Sequence, residues 1–266
     1  NKETFNHDSS RTIIYTGSFR FPDGDAAAAR VLGIGKALRF AGHRVFYAGW
    51  EECERVQDRQ ADGRYVYEGF TYKSISELRY KEISPIRRLF GYLRRGSNTV
   101  KWLKTLNISN ISTIIAYNGG SFFLLRLANL CKKHNIQLIV DCTEWYEPRH
   151  LVGGRFGLVR IDDEIRMRVI NQRIGRIIPI SSFLEKYYFK KGCRVLRIPP
   201  LVDLNESKWM IDNRIISSNP NKQLQLAYAG DPAKKDLLGN VLKGIAALKD
   251  EGITVELHLA GPTYQS

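Results

Sequence analysis

Hydrophobic positions along the chain alternate between two rhythms. Thr12, Ile13, Ile14 and Tyr15 form an apolar run that breaks at Gly17. After the turn Arg20-Phe21-Pro22-Asp23-Gly24, a helical pattern covers residues 26–40, with Val31, Ile34, Ala37, Leu38 and Ala41 at spacings of three and four. That spacing gives a helix one apolar face, and Gly42 stops it. The run Val45-Phe46-Tyr47-Ala48 predicts a second strand, so residues 12–48 read as strand, crossover helix and parallel strand, the unit that opens a doubly wound sheet. Ligands of such sheets sit beyond the carboxyl ends of the strands, which places residues 17–25 at the mouth of a site.

The rhythm continues. Residues 51–63 are highly charged and predict a helix or loop rim; Tyr65-Val66-Tyr67 and Phe70-Thr71-Tyr72 alternate like a short strand or hairpin. A basic helical region spans residues 85–106, with Gly96-Ser97-Asn98 as a break. Residues 111–117 are a β-branched run that predicts a buried parallel strand, ending at Asn118-Gly119-Gly120. Ser121 is placed to cap a helix over residues 122–134 whose inner stripe is Phe123, Leu124, Leu127 and Leu130.

The strand over residues 136–142 runs into Asp141-Cys142-Thr143-Glu144-Trp145-Tyr146-Glu147-Pro148, which gathers acids and aromatics at a strand end. A long helix follows over residues 158–174, with Asp162, Asp163 and Glu164 read as first-turn acids that suit the helix dipole. Residues 176–180 and 194–198 predict strands on either side of a helix over residues 183–191, with Ser182 and Glu185 as its capping box and Gly192 as its stop. Strand and helix alternating in this way predict an α/β domain over residues 1–203 with a largely parallel sheet.

Residues 204–222 break the rhythm, and the polar stretch at 217–221 suits a linker. A fresh cycle occupies residues 223–266: a strand at 224–229, a turn, a helix at 235–249 with Leu238, Val241, Leu242, Ile245 and Leu248 facing inward, and a strand at 255–260. One helix between two strands does not make a stable domain. The expectation is therefore an incomplete second doubly wound domain, most of it absent from this chain.

Composition narrows the class. The 266 residues are 43% hydrophobic, enough for a full core, yet no run approaches the roughly 20 apolar residues that cross a bilayer. The polar residues 1–11 do not read as a signal peptide. Cys53, Cys131, Cys142 and Cys193 show no CxxC spacing, so neither a metal centre nor disulfide pairing is expected and a reducing cytoplasm fits.

A net charge of +14 calls for a polyanionic neighbour. Arg79, Lys81, Arg87, Arg88, Arg94, Arg95, Lys101 and Lys104 crowd one segment, in which Ile86, Leu89, Phe90 and Leu93 share a helical face. Two readings stay open: a basic amphipathic helix on anionic lipid headgroups, or a solvated helix with its apolar face in the core. Helix-turn-helix, zinc and RNA-binding signatures are missing, so nucleic acid is not the expected partner.

Candidate chemistry sits at the strand ends. Gly17 and Gly24 are small where a ligand backbone or phosphate would come close, and Asp25 caps a helix whose amides face that point. The loop is not GxGxxG, and Gly49-Trp50 stands where a dinucleotide enzyme carries an acid, so a dinucleotide reading is unsupported. Asn118 and Gly119 lie at the next strand end, Thr143 and Glu144 at the one after.

A family resemblance gathers these points. Leu226-Ala227-Tyr228-Ala229-Gly230 with Lys234-Lys235, then Val241-Leu242-Lys243-Gly244, then Leu257-His258-Leu259-Ala260-Gly261-Pro262 resembles the opening of the donor-binding domain in glycosyltransferases of the GT-B fold, family 4 type. Ala37-Leu38 ahead of Gly42-His43-Arg44-Val45 is similar to the family's first crossover helix and second strand. Asp141-Cys142-Thr143-Glu144-Trp145, Ile180-Ser181-Ser182 and Ile198-Pro199-Pro200-Leu201-Val202-Asp203 match its later motifs in order, so the likeness covers nearly the whole chain.

The resemblance implies two Rossmann-like domains around a cleft, with a sugar nucleotide held chiefly by the C-terminal domain and a glycan or lipid-linked acceptor by the N-terminal one. It implies transfer with retention of configuration, without metal or resident cofactor. Lys235, with Lys234 beside it, falls where the family binds the diphosphate, and Ser181 and Gly230 approach the same cleft. The chain departs from the family in having Asp231-Pro232 where an arginine is frequent and Thr143 where histidine is frequent, which leaves Glu144 or another group to serve the acceptor. The family's paired donor glutamates would lie beyond Ser266. The sequence-based expectation is a cytoplasmic glycosyltransferase with a membrane-facing option through Arg79, Arg87, Arg88, Arg94 and Arg95. A non-catalytic partner of the same fold is the alternative.

Overall fold

The computed structural model describes residues 12–51, 53–77, 90–147, 154, 157–204, 224–230 and 237–261. The chain divides into two compact units, Asn1–Asp203 and Leu204–Ser266.

In the first unit the strands are β1 (Thr12–Gly17), β2 (Arg44–Gly49), β3 (Tyr65–Tyr67), β4 (Phe70–Ser74), β5 (Ile111–Tyr117), β6 (Gln137–Cys142), β7 (Arg176–Pro179) and β8 (Arg194–Val195). They form one sheet in the order β3-β4-β2-β1-β5-β6-β7-β8, parallel throughout except for the β3/β4 hairpin. Its helices are α1 (Ala26–Phe40), α2 (Ser97–Leu103), α3 (Ser121–His134), α4 (Leu158–Ile165), α5 (Asn171–Ile174) and α6 (Ser182–Phe189), and a π turn over Arg166–Ile170 joins α4 to α5.

Strand β1 explains this architecture. All six of its residues are buried, so it has no solvent face and both sides must be covered. Its side chains alternate between two cores. Ile14 joins Phe46, Ile114, Leu127, Val140 and Met167 on one face, while Ile13 and Tyr15 join Val31, Ile34, Tyr47 and Ile115 on the other. Helix α1 supplies the second face through Val31 and Ile34; α3 and α6 supply the first through Phe123, Leu124, Leu127, Leu184 and Tyr188.

The chain winds from β1 outward to β2 and β4, then returns to β5 on the other side of β1 and continues to β8. Strand order therefore reverses between β1 and β5, and open sheets of this kind hold ligands at that reversal, beyond the carboxyl ends. Gly17 and Tyr117 are in register there.

Several local expectations are corrected. The α3 cap is Gly120, and Ser121 is the first helical residue; its hydroxyl donates to the Asp162 carbonyl oxygen at 3.0 Å. The α6 cap is Ser181, one residue earlier than expected, its hydroxyl accepting from the Leu184 amide at 3.3 Å. The sequence favours Ser182 because it has a glutamate three positions on, but a cap needs extended backbone, and that falls at Ser181 with φ −121°. Asp162 and Asp163 lie beyond the first turn of α4 and are buried; Asp162 answers to Tyr92 and Ser121 from other elements and Asp163 to Arg166 one turn on, not to the dipole of α4. Strand β8 is only two residues long, although the Leu196 and Ile198 amides still donate to the Ile177 and Pro179 carbonyls. The basic helical region breaks in a turn at residues 94–96; residues 85–89 lie outside the described residues.

In the second unit β9 (Leu224–Ala229) and β10 (Val255–Ala260) pair in parallel, joined through α7 (Leu238–Asp250). The inward stripe expected on α7 is not buried: Val241 and Leu242 are exposed. Among the described residues only two strands lie beside it, too little surface to cover a helix face.

Candidate functional site

The carboxyl edge at the β1/β5 reversal is built from backbone crossings. Gly17 has φ +141°, and a Cβ there would sit 2.2 Å from the Tyr117 carbonyl oxygen, so β1 and β5 approach as only glycine permits. The Ser18 amide donates to that same oxygen at 3.2 Å. The following loop turns its apolar side chains inward, with Phe21 stacked on Tyr47 at 4.0 Å between centroids. Arg20 folds back over Gly24 and pairs with Glu51 at 2.7 Å and Asp25 at 3.5 Å. Asp25 accepts the Ala28 amide at 2.8 Å, so one of the α1 amides expected to face a ligand anion is already taken by the chain itself.

Asn118 and Thr143 form the polar centre of the edge. Asn118 takes the left-handed conformation, φ +41°, and its amide donates to the Asp141 carbonyl at 3.2 Å. Its side chain accepts from the Thr143 amide at 3.1 Å and donates to the Thr143 hydroxyl, which lies 3.5 Å from the Tyr117 hydroxyl. Glu144 comes next, fixed through its backbone carbonyl by Arg166 Nη2 at 3.1 Å. Burial, followed by the hydrogen bond to the Glu144 carboxylate, holds the Tyr146 hydroxyl well above its usual range. Hydroxyls, an amide and a carboxylate thus converge at the ends of β5 and β6, an arrangement suited to the hydroxyls of a polar ligand.

Beneath this edge lies a charged triad that sequence reasoning missed. Asp141 is 0% exposed and Arg30 4%. Arg30 Nη2 reaches Asp141 Oδ1 at 2.7 Å and Arg30 Nε reaches Oδ2 at 3.0 Å, while the Tyr15 hydroxyl donates to Oδ2 at 2.5 Å. Burial pushes the Asp141 carboxyl up, against the opposing pull of Arg30 and Tyr15; burial and Asp141 together push the Tyr15 hydroxyl up. The available signal was Arg30 itself, an arginine one turn before Ile34 on the apolar face of α1.

Other predicted residues are occupied structurally. Gly119 gives room to Phe123, whose Cδ1 would lie 1.9 Å from an added Cβ. The α3 amino terminus beside it is filled by Asp162: the Ser121 amide donates to Oδ1 at 3.2 Å and the Tyr92 hydroxyl to Oδ2 at 2.5 Å. A carboxylate there satisfies the amides that would otherwise attract an external anion. Ser181 sits beyond β7, next to the β6 end, where its hydroxyl is used as the α6 cap. Gly17, Asn118, Thr143 and Ser181 therefore lie at the carboxyl ends of β1, β5, β6 and β7, side by side in the sheet.

In the second unit Gly230 ends β9 with φ +145° and donates to the Ala260 carbonyl at 2.9 Å; Lys234 and Lys235 lie outside the described residues. So do Arg79, Arg87 and Arg88. Arg95 stacks on the Tyr92 ring at 4.6 Å, and Arg126 ties down the Leu93 and Arg95 carbonyls. Among the described residues no group of three or more His, Cys, Asp or Glu is placed to hold a metal ion, and no helix is long and apolar enough to cross a membrane. A cavity of about 660 Å³ lies away from the predicted site residues, lined by Thr12, Arg44, Phe46, Arg64, Thr71 and Lys73 among others.

No family model matches the chain, and no curated protein matches it in sequence. Solved structures match it in fold. The apo structure of OtsA aligns with a TM-score of 0.57 at 13% identity, covering 96% of this chain and 66% of that one. Alr3699/HepE of Anabaena in complex with UDP aligns at 0.52 and 12% identity, covering 94% and 69%. The glycotransferase of kitacinnamycin aligns at 0.51 and 14% identity, covering 97% and 69%. The chain thus spans about two thirds of the length of these proteins, and what it shares with them is the α/β architecture: a mostly parallel, Rossmann-like sheet flanked by helices.

Proposed function

We propose that this chain is part of a glycosyltransferase that moves a sugar from a nucleotide-diphosphate donor to a glycan or lipid-linked acceptor, with retention of configuration. Residues 1–203 form its acceptor-side domain, residues 204–222 its linker, and residues 223–266 belong to its donor-nucleotide domain. The reading rests on one observation above the others. The polar cluster Asn118, Thr143 and Glu144 stands at the carboxyl ends of β5 and β6, beside the strand-order reversal, in a sheet whose fold is shared with a glycotransferase and with a structure holding UDP.

In this reading Thr143 and Glu144 meet the acceptor. Their neighbours Tyr117 and Asn118 keep the Thr143 hydroxyl oriented, and Arg166 keeps the Glu144 backbone in place. Gly17, Gly24, Asp25, Gly119 and Ser181 shape the edge around them. Departure of the nucleoside diphosphate develops negative charge, which requires fixed cations or amides. Lys235, with Lys234 and the Gly230 turn, takes that role; a lysine offers a compact charge on a long stem that can follow the leaving group. No metal or resident cofactor has a part. The basic segment containing Arg79, Arg87, Arg88, Arg94 and Arg95 faces an anionic membrane surface, where a lipid-linked acceptor would be found.

The experiment is turnover of a panel of nucleotide sugars by the protein in its longest natural form, followed by release of the free nucleoside diphosphate. Release from one donor, lost in Glu144→Gln and Lys235→Ala, is the expected result. Absence of release from every donor together with absence of nucleoside diphosphate binding would overturn the reading.

A further inference from the structure

Helix α1 does more than cover the sheet. Three of its residues, spaced by three, lie against residues 198–203, the last stretch of the first unit. Arg30 Nη1 donates to the Ile198 carbonyl at 2.8 Å and lies 3.5 Å from the Pro199 carbonyl. At Gly33 an added Cβ would stand 3.2 Å from Leu201 Cβ, so the arm passes directly over the helix backbone. Lys36 Nζ is 3.4 Å from Asp203 Oδ2 and 3.0 Å from Glu68 Oε2. Pro199 and Pro200 have no amide to donate, and contacts with α1 hold the arm after the Ile198 amide makes its bond to Pro179.

Arg30 serves two places at once. Its Nε and Nη2 close on Asp141 at the end of β6, and its Nη1 reaches the arm. The Asp141 carbonyl accepts the Asn118 amide, and the Asn118 side chain in turn accepts the Thr143 amide. A planar guanidinium holds its donors in a fixed fork and so transmits a displacement between such partners, whereas the rotatable ammonium of a lysine fixes no geometry between the groups it bonds.

We infer that Arg30 is a positioning residue that couples the arm at residues 198–203 to the polar cluster at Asn118 and Thr143. The arm moves as one piece with that cluster. The coupling itself stands on the geometry of the first unit; only its consequence for turnover rests on the glycosyl-transfer reading.

The test is hydrogen exchange resolved at single amides by NMR, on the chain and its variants Gly33→Val, Arg30→Lys and the double variant. Gly33→Val pushes on Leu201 without touching Asp141. It is expected to speed exchange at the Ile198 amide, the arm amide bonded to the Pro179 carbonyl, about tenfold and to speed exchange at the Asn118 and Thr143 amides as well. In the Arg30→Lys background the same substitution should still loosen the arm but add nothing at Asn118 and Thr143. Where Arg30→Lys does not fold, Lys36→Gln with Gly33→Val provides the second perturbation of the arm. A loosened arm with unchanged Asn118 and Thr143 amides overturns the coupling, and so does an arm that exchanges at its original rate in every variant. Nucleotide-sugar turnover in the same variants reports separately: its absence in the unmodified protein counts against the proposed reaction and leaves the exchange result standing.

Discussion

Asn118 and Thr143 hold each other across the ends of β5 and β6, the Thr143 amide donating to Asn118 Oδ1 at 3.1 Å and Asn118 Nδ2 donating to the Thr143 hydroxyl. Each is the other's partner, so removing one side strands the other. Thr143→Val keeps the shape and leaves Asn118 Nδ2 without its acceptor; Asn118→Gly suits the left-handed backbone but leaves the Thr143 amide unpaired. Each is expected to cost about 1 kcal/mol, because both residues are half-buried and water repairs part of the loss. The double variant should cost less than the sum by at least about 0.5 kcal/mol. Urea unfolding of the four proteins checks it, and strict additivity would show that the pair does not act as a unit.

Asp162 fills the amino terminus of α3 with the chain's own carboxylate. Asp162→Gly removes the acceptor of the buried Ser121 amide and of the Tyr92 hydroxyl, a loss of about 1–3 kcal/mol. It also opens a helix amino terminus to solvent anions. Sulfate at millimolar concentration should then raise the melting temperature of the variant by more than that of the unmodified protein. Equal shifts in the two would mean that the terminus does not attract anions once vacated.

What the sequence displayed, it displayed through short-range periodicity. Thr143 and Asn118 were legible because a parallel sheet sends every strand's carboxyl end to one edge, so turn residues after apolar runs collect there. Arg30 and Asp141 stand 111 positions apart and Asp162 stands 41 from Ser121, so no local window contains both partners. The misplaced α6 cap has a different origin. Ser181 and Ser182 have the same side chain, and only the backbone angle, set by where β7 ends, decides which of them caps. The acids of α4 read as first-turn charges for the helix dipole because a helical pattern shows only that they are polar and near its start, and the pattern is silent on what packs against them.

Asp58 offers a pH test. Burial alone would raise its carboxyl, but hydrogen bonds from Arg55 Nε and the Tyr72 hydroxyl, both at 2.7 Å, outweigh this and hold it below the ordinary 3.8. A carboxyl depressed in the folded state contributes stability above its unfolded pKa and loses that contribution as pH falls through the folded value. Asp58→Asn should therefore be less stable than the unmodified protein by a constant margin between about pH 5 and 7, and the margin should shrink below about pH 4. Denaturant unfolding across that range measures it. A margin that stays level to the acid end would show that the Asp58 charge is not what matters.

Membrane docking predicts a charge effect. Each arginine near an anionic surface contributes about 1 kcal/mol. Replacing Arg87, Arg88, Arg94 and Arg95 with glutamate should abolish sedimentation with vesicles containing phosphatidylserine and leave sedimentation with neutral vesicles unchanged. Equal binding of both proteins to anionic vesicles rejects the surface.

Gly17 and Gly24 were expected to act alike, yet their surroundings differ in what can yield. Both have positive φ, +141° and +111°, so any side chain at either carries backbone strain of about 1–3 kcal/mol. At Gly24 the atom that an added Cβ meets is Arg20 Cδ at 2.9 Å, part of a flexible, half-exposed side chain that can swing aside. At Gly17 it is the Tyr117 carbonyl oxygen at 2.2 Å, backbone of the adjacent central strand, and moving it would separate β1 from β5 where the candidate site lies. Gly24→Ala should thus cost only its strain, about 1–3 kcal/mol, and keep the fold. Gly17→Ala should exceed about 4 kcal/mol and leave little folded protein at 37 °C. Thermal unfolding of the two variants side by side decides it, since similar melting temperatures would mean that the β1/β5 approach at Gly17 is not the tight crossing on which the edge depends.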